Sequence, residues 1–135
     1  MNYANIKHYD IANGEGVRTS LFVSGCTHHC KDCFNPETWD FGYGKPFTKE
    51  VIDNIIQSLK SDYVNGLTLL GGEPMEIANQ KALLPLVEQV KKIYPNKTVW
   101  CYTGYQFEDL LSGGKVHADW TEKLLNNIAI IVDGE

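Results

Sequence analysis

Apolar positions along the chain follow two different periods, which predict strands and helices in alternation. Short apolar runs bounded by glycine or polar residues have the length of buried strands. Segments with apolar residues at every third or fourth position are typical of amphipathic helices. The predicted strands are 18–23, 67–70, 98–103 and 128–132. The predicted helices are one that begins at the N-cap Thr48, one over 79–93 with a bend at Pro85, and two short ones at 106–111 and 120–126.

The order of these elements predicts an α/β fold. Strands that alternate with helices form parallel sheets with right-handed crossovers. We therefore expect an α/β protein with a parallel sheet and alternating helices, in a single domain over residues 1–135. Because ligands of such folds bind outside the carboxyl ends of the strands, the segments that follow the strands are the candidate site.

Composition and charge exclude several classes of function. The hydrophobic fraction of 43% and the charged fraction of 21% are ordinary for a globular domain. No apolar run approaches the roughly twenty residues that span a bilayer, and the N-terminus lacks the features of a signal peptide, so we expect a cytoplasmic protein without a membrane partner. A net charge of −5 without a lysine or arginine block argues against a nucleic-acid partner.

Three of the four cysteines lie close together, directly after the first predicted strand. They are Cys26, Cys30 and Cys33, spaced C-x3-C-x2-C. Three thiolates can hold three corners of a 4Fe–4S cluster and leave the fourth iron open to a small molecule. The alternatives are a structural zinc site with His28 or His29 as the fourth ligand and a pair of redox thiols. Zinc ligands usually form two separated pairs, so the spacing favours the open cluster. Cys101 is isolated in an apolar stretch, and we expect it to be buried.

The segment Gly71-Gly72-Glu73 follows the next predicted strand. Its main-chain oxygens and its carboxylate are acceptors of the kind that bind an ammonium group, such as the amine of a bound amino acid. The alternative is a tight turn that ends a strand. Because the segment should lie beside the cysteines at one edge of the sheet, we favour the ligand site.

Other residues near the strands have two interpretations each. Phe34 either screens a cluster or packs near an adenine, and its alternative is an ordinary half-buried aromatic residue. Tyr102 and Thr103 either contact a ribose or an adenine by hydrogen bonds or pack at the end of a strand. Arg18 either binds a carboxylate or forms a salt bridge with a nearby acid such as Glu15, and we favour the salt bridge.

The motifs together resemble those of a known superfamily. The cysteine spacing after an apolar strand is similar to the signature of radical S-adenosylmethionine (radical SAM) enzymes, and Gly71-Gly72-Glu73 matches the motif with which they hold the methionine amino group. The run 25–39 resembles the cluster loop of the proteins that activate anaerobic (class III) ribonucleoside-triphosphate reductase, although Asp32 departs from it. Segment 14–18 is similar to the Gly-x-Gly-x-Arg of glycyl-radical activases, and 100–105 and 132–134 also resemble this family.

This resemblance implies a fold and a reaction. The implied fold is a partial (β/α) barrel of the radical SAM type. The implied activity is reductive cleavage of S-adenosylmethionine (SAM) at a 4Fe–4S cluster, followed by removal of a hydrogen atom from a glycine of the reductase. The implied metal ligands are Cys26, Cys30 and Cys33, and no catalytic residue beyond the cluster is expected. The implied SAM contacts are Phe34, Gly71, Gly72, Glu73, Tyr102 and Thr103.

The resemblance also implies partners. The large subunit of the reductase is expected to dock around 34–43, with Phe34 and Trp39 as aromatic anchors. Core packing is an equal alternative for Trp39. An electron donor such as a flavodoxin is expected to reduce the cluster. Members of the family continue for a further strand or so beyond Asp133-Gly134, so the chain is either truncated or a short variant. The alternative functions are another small radical SAM enzyme, such as a formate-lyase-type activase, and a non-catalytic zinc-binding module.

Overall fold

A six-stranded mixed sheet organises the part of the chain that the computed structural model describes, which is residues 1–25, 40–114 and 116–132. The strands are β1 (Asn2–Asp10), β2 (Arg18–Val23), β3 (Lys45–Pro46), β4 (Gly66–Gly71), β5 (Thr98–Tyr102) and β6 (Ile130–Val132). The helices are α1 (Lys49–Ser58), α2 (Ile77–Ile93), α3 (Phe107–Leu110) and α4 (Thr121–Asn126). The order of the strands in the sheet is β3-β1-β2-β4-β5-β6.

The strands β2, β4, β5 and β6 are parallel, as the alternation of strands and helices predicted. Leu21 of β2 lies opposite Leu69 of β4, which in turn lies opposite Cys101 of β5. These three side chains are fully buried in one hydrophobic cluster with Ile55 of α1 and Leu83 of α2. Since side chains on a strand alternate between faces, this row defines the face of the sheet that the helices stabilise by burial of apolar surface.

The prediction of a wholly parallel sheet is wrong on one side of the molecule. β1 is antiparallel to β2, and β3 is antiparallel to β1. The pairing of β1 with β2 is irregular between Tyr3 and Asn5 and again between Lys7 and Asp10, and most residues of β1 are half-buried or exposed. These shifts break the period of two that identifies a strand in a sequence, so β1 was missed.

The other elements lie close to their predicted bounds. β2 coincides with the prediction, and α1 begins after Thr48, whose hydroxyl accepts a hydrogen bond from the main-chain nitrogen of Val51 at 3.4 Å. β6 begins later than predicted, because the main-chain nitrogen of Ile128 still donates to Leu125 in the turn that closes α4. Among the described residues, no helix has both the length and the apolar character that a membrane span requires.

Candidate functional site

The carboxyl ends of β2 and β4 are joined by main-chain hydrogen bonds. The nitrogen of Gly72 donates to the carbonyl oxygen of Val23 at 2.8 Å, and the nitrogen of Glu73 donates to that of Gly25 at the same distance. Gly25 is the last described residue before the cysteines. The structure therefore places the predicted ammonium loop against the chain that leads into the predicted metal ligands.

Several predicted site residues lie outside the described residues. They are Cys26, Cys30, Cys33, Phe34 and Trp39 within 26–39, and Asp133 and Gly134 within 133–135. Their roles as cluster ligands, cofactor contacts and docking anchors stay predictions. The described residues that flank this segment are Gly25 on one side and Asp40 on the other.

Gly71 occupies a backbone conformation that only glycine adopts without strain. Its φ angle is +110°, and a Cβ atom built there would lie 2.6 Å from the nitrogen of Val23 and 2.7 Å from its oxygen. A side chain at this position would push β4 away from β2. The glycine is therefore needed for the close approach of the two strand ends, whichever ligand the loop binds.

Glu73 is buried, and its carboxylate joins the ends of β4 and β5. Oε2 accepts hydrogen bonds from the main-chain nitrogen of Met75 at 2.8 Å and from the hydroxyl of Thr103 at 2.6 Å. Oε1 accepts a hydrogen bond from the main-chain nitrogen of Gly104 at 2.7 Å. Hydrogen bonds to an ionised carboxylate are stronger than neutral ones, so this group fixes the two loops relative to each other. Its predicted contact with an ammonium group stays a prediction.

The two predicted residues at the end of β5 lie at the same edge of the sheet. Thr103 is 5% exposed, donates to Glu73 and accepts a hydrogen bond from the nitrogen of Tyr105 at 3.1 Å. Tyr102 is half-buried and pairs with Val132 of β6. The structure thus brings Thr103 into the polar network around Glu73, whereas a contact of either residue with a ribose or an adenine stays a prediction.

Asn79, in the first turn of α2, belongs to this network and was not predicted. It is fully buried, and its Nδ2 donates to the carbonyl oxygens of Ser24 at 3.1 Å and Glu73 at 2.9 Å. The sequence contained a signal for it, because Asn79, Leu83 and Leu86 have the i, i+4, i+7 spacing of one helix face. An amide on a face that is otherwise apolar indicates a buried polar contact.

Arg18 lies at the opposite edge of the sheet, at the start of β2, and is 1% exposed. Its guanidinium donates to the hydroxyl of Thr68 at 2.8 Å and to the carbonyl oxygens of Leu67 at 3.0 Å and Thr98 at 2.6 Å. A fourth hydrogen bond, of 3.1 Å, reaches the main-chain carbonyl of Glu15, so this contact is not the ion pair with the Glu15 carboxylate that was predicted. Burial lowers the pKa of Arg18 to about 10, and the guanidinium stays charged at neutral pH.

The prediction that Cys101 is buried is confirmed. Its side chain is fully buried in the hydrophobic cluster under the sheet. Burial, followed by the negative charge of Glu73, raises the pKa of this thiol well above its ordinary value. A protonated thiol is a poor metal ligand and a poor nucleophile, so Cys101 has a packing role.

Comparison with known proteins gives one consistent result. Residues 12–135 match a family model described as a 4Fe-4S single cluster domain. The chain is 42% identical over 137 residues to the anaerobic ribonucleoside-triphosphate reductase-activating protein of Vibrio cholerae, with 100% of this chain and 84% of the relative covered. The proteins of the same name from Pasteurella multocida and Enterobacteria phage T4 are 41% identical over 138 residues and 37% identical over 135 residues. All of this chain is covered in both alignments, with 84% and 81% of the respective relatives.

Proposed function

The chain belongs to the family of anaerobic ribonucleoside-triphosphate reductase-activating proteins, and from this premise we propose that it is a radical SAM enzyme that activates such a reductase. When bound, a 4Fe–4S cluster supplies the electron that cleaves SAM, so that the resulting 5′-deoxyadenosyl radical can take a hydrogen atom from a glycine of the reductase. The proposed cluster ligands are Cys26, Cys30 and Cys33, since thiolates are the usual ligands of iron–sulfur clusters.

The observation that carries this proposal is the contact between the ends of β2 and β4. The carbonyl of Gly25, directly before Cys26, accepts a hydrogen bond from the nitrogen of Glu73. A ligand that binds the cluster and the Gly71-Gly72-Glu73 loop at once needs these two segments side by side. The described edge fits an ammonium group, because it carries a buried carboxylate next to a close-packed glycine turn.

The remaining SAM contacts are proposed at the same edge. Gly71 and Gly72 would offer main-chain oxygens to the ammonium group, and Glu73 would offer its charge. Tyr102 and Thr103 at the end of β5 would contact the ribose or the adenine, and Phe34 would pack near the adenine. Thr103 would keep its hydrogen bond to Glu73, so the two ends of the bound cofactor would be oriented by one network.

We also propose the architecture and the partners that this function requires. The sheet would belong to a partial barrel of the radical SAM type within a single cytoplasmic domain over 1–135. The large subunit of the reductase would dock around 34–43, a segment in which Phe41 is 42% exposed and Tyr43 is 40% exposed. Phe41 also lies against Gly25, so this surface adjoins the chain that leads into the cysteines. A flavodoxin-type protein would supply the electron.

The metal content of cysteine variants tests this proposal. After anaerobic reconstitution, the wild-type chain should bind about four iron atoms, and Cys26→Ala, Cys30→Ala or Cys33→Ala should lose the cluster, because three thiolates are the fewest that hold it with one iron open. Cys101→Ala is the matched control and should keep full iron content. The reconstituted wild-type protein should also release 5′-deoxyadenosine from SAM when reduced.

Three results would contradict the proposal or part of it. A colourless wild-type protein that binds zinc after anaerobic purification would support the non-catalytic module instead. Full cluster loading in Cys30→Ala would show that the ligands are misassigned. A formate-lyase-type activase would be favoured if the enzyme cleaves SAM and activates formate lyase but not the reductase.

A further inference from the structure

Asn79 and Gln80 are consecutive residues at the start of α2, and both side chains are fully buried. They differ in how many of their amide groups form hydrogen bonds. Nε2 of Gln80 donates to the carbonyl oxygens of Met75 and Val116, each at 2.7 Å, and Oε1 accepts a hydrogen bond from the hydroxyl of Thr121 at 2.6 Å. Every polar atom of this amide has a partner. That pattern is the usual one for a buried amide whose role is structural.

Asn79 uses only half of its amide. Nδ2 donates to the carbonyl oxygens of Ser24 and Glu73, whereas among the described residues no donor reaches Oδ1. The two carbonyls fix the orientation of the amide, since exchanging its nitrogen and oxygen would bring Oδ1 against two other oxygens. A buried oxygen without a donor destabilises the folded state. Asn79 therefore differs from Gln80 in having one amide group with partners and one without a described partner.

The two acceptors of Asn79 lie in the two segments that the proposed function needs side by side. Ser24 is fully buried and lies two residues before Cys26. Glu73 belongs to the proposed ammonium loop, and its carboxylate reaches Thr103 and Gly104 after β5. One side chain on a helix therefore holds the chain that leads into the cysteines and the loop that would bind the ligand amine.

We propose that Asn79 is a positioning residue that holds the chain leading into the cysteines against the ammonium-binding loop. This inference rests on the proposed function, because it concerns how that site is held. Asn79 acts through the carbonyls of Ser24 and Glu73, and it fixes the loop relative to the chain that leads into the cysteines, so that one ligand could contact both the proposed cluster and the acceptors of the loop. Its loss should weaken SAM binding more than cluster binding, since the cluster is held by the cysteines and SAM must span both segments.

The test compares Asn79→Ala with Gln80→Ala, which removes an equally buried amide from the same turn. Each full-length variant is reconstituted with the cluster, and iron content, thermal unfolding and the dissociation constant for SAM are measured. Both substitutions should lower the unfolding temperature. Only Asn79→Ala should weaken SAM binding, by roughly tenfold, with iron content unchanged. SAM should change the electron paramagnetic resonance spectrum of the reduced cluster in the wild type. In Asn79→Ala, the same change should require a correspondingly higher concentration of SAM.

The outcomes separate this inference from the function on which it rests. A wild-type protein with a full cluster that does not bind SAM would refute the proposed function. If the wild type binds SAM and Asn79→Ala binds it equally well, or if both variants lose the same affinity, Asn79 is only a packing residue. Asn79→Asp keeps the volume but removes both N–H donors, so it replaces the alanine variant in the test if that variant does not fold. It should show the same loss of SAM affinity. Failure of both Asn79 variants to fold, while Gln80→Ala folds, would also overturn the positioning role.

Discussion

The amino ends of the parallel strands form one edge of the sheet, and their carboxyl ends form the other. Each edge contains one buried charged side chain that connects neighbouring strands, and the two charges have opposite signs. At the amino edge, Arg18 of β2 donates to the carbonyls of Leu67 and Thr98, at the starts of β4 and β5. At the carboxyl edge, Glu73 after β4 accepts hydrogen bonds from Thr103 and Gly104 after β5. A single side chain thus joins neighbouring strands at each edge, as a cation with carbonyl acceptors or as an anion with N–H and O–H donors.

The difference between the edges lies in what surrounds each charge. The four acceptors that the structure gives Arg18 are neutral groups, and three of them belong to strands of the sheet. Glu73 instead connects two loops, the one after β4 and the one after β5. The loop after β4 packs against the chain that leads into the cysteines. A buried amide oxygen without a described donor lies in the same region. The amino edge is therefore a network within the strands of the sheet, whereas the carboxyl edge joins the loops at which the binding site is proposed.

Removing the charge at the amino edge should have the largest effect on stability. Arg18→Ala would leave several buried acceptors without donors, and we expect it to lower the free energy of unfolding by about 3–5 kcal/mol. Arg18→Lys should recover only part of this, because one ammonium group cannot match the fork of a guanidinium. Urea unfolding measures the change. A loss below about 1 kcal/mol in Arg18→Ala would show that the network contributes little.

Neutralising the charge at the carboxyl edge should act mainly on binding. In Glu73→Gln, the amide nitrogen would face the main-chain N–H of Met75 or that of Gly104. The proposed ammonium ligand would also lose its charged acceptor. We expect SAM affinity to fall roughly ten- to a hundredfold, or about 1.5–3 kcal/mol, with iron content unchanged. Isothermal titration of the reconstituted protein measures this. The control is Glu88→Gln, the same chemical change at an exposed position of α2.

An unchanged dissociation constant in Glu73→Gln would contradict the binding role of this edge. The carboxylate would then serve only to connect the loops after β4 and β5, and the two edges would be alike in function. A loss of the same size in Glu88→Gln would indicate a general effect of net charge on SAM binding, and it would remove Glu73 from the proposed contacts.

The smallest effect is a pH dependence at the amino edge, from Asp10. Burial raises the pKa of this carboxyl, but hydrogen bonds from Asn13, Ser20 and Ala12 outweigh it, so the pKa lies below its ordinary value of 3.8. A lowered native pKa stabilises the fold above about pH 4, and this stability is lost as the pH falls through the native pKa. Asp10→Asn should therefore cost about 1 kcal/mol at pH 7 and less near pH 2. Equal differences at both pH values would contradict this account.

The parallel part of the fold was predictable because burial leaves a clear pattern in the sequence. Strands β4 and β5 are short apolar runs, and Cys101 is buried as its apolar neighbours indicated. β1 escaped prediction because its register shifts twice and its residues are largely half-buried or exposed. A strand that pairs irregularly near the edge of a sheet has no regular hydrophobic alternation to detect.

The site was predictable in its motifs but not in its contacts. Glycine and glutamate at 71–73 pointed to the carboxyl edge, since parallel strands bring their ends together. Three of the four partners of Arg18 are main-chain carbonyls, two of them distant in sequence. Every residue has such a carbonyl, so no residue type could identify them. Asn79 was detectable in principle, as an amide on an apolar helix face, but its two acceptors are carbonyl groups as well.

We propose that the carboxyl edge holds a cofactor site with which the protein generates a radical on the partner reductase. The most direct test mixes the reconstituted protein with the reductase, SAM and a reductant under anaerobic conditions and records the electron paramagnetic resonance spectrum. We expect the doublet of a glycyl radical, which should be absent without SAM and absent with Cys30→Ala. A protein with a full cluster that cleaves SAM but never yields this doublet would contradict the claim.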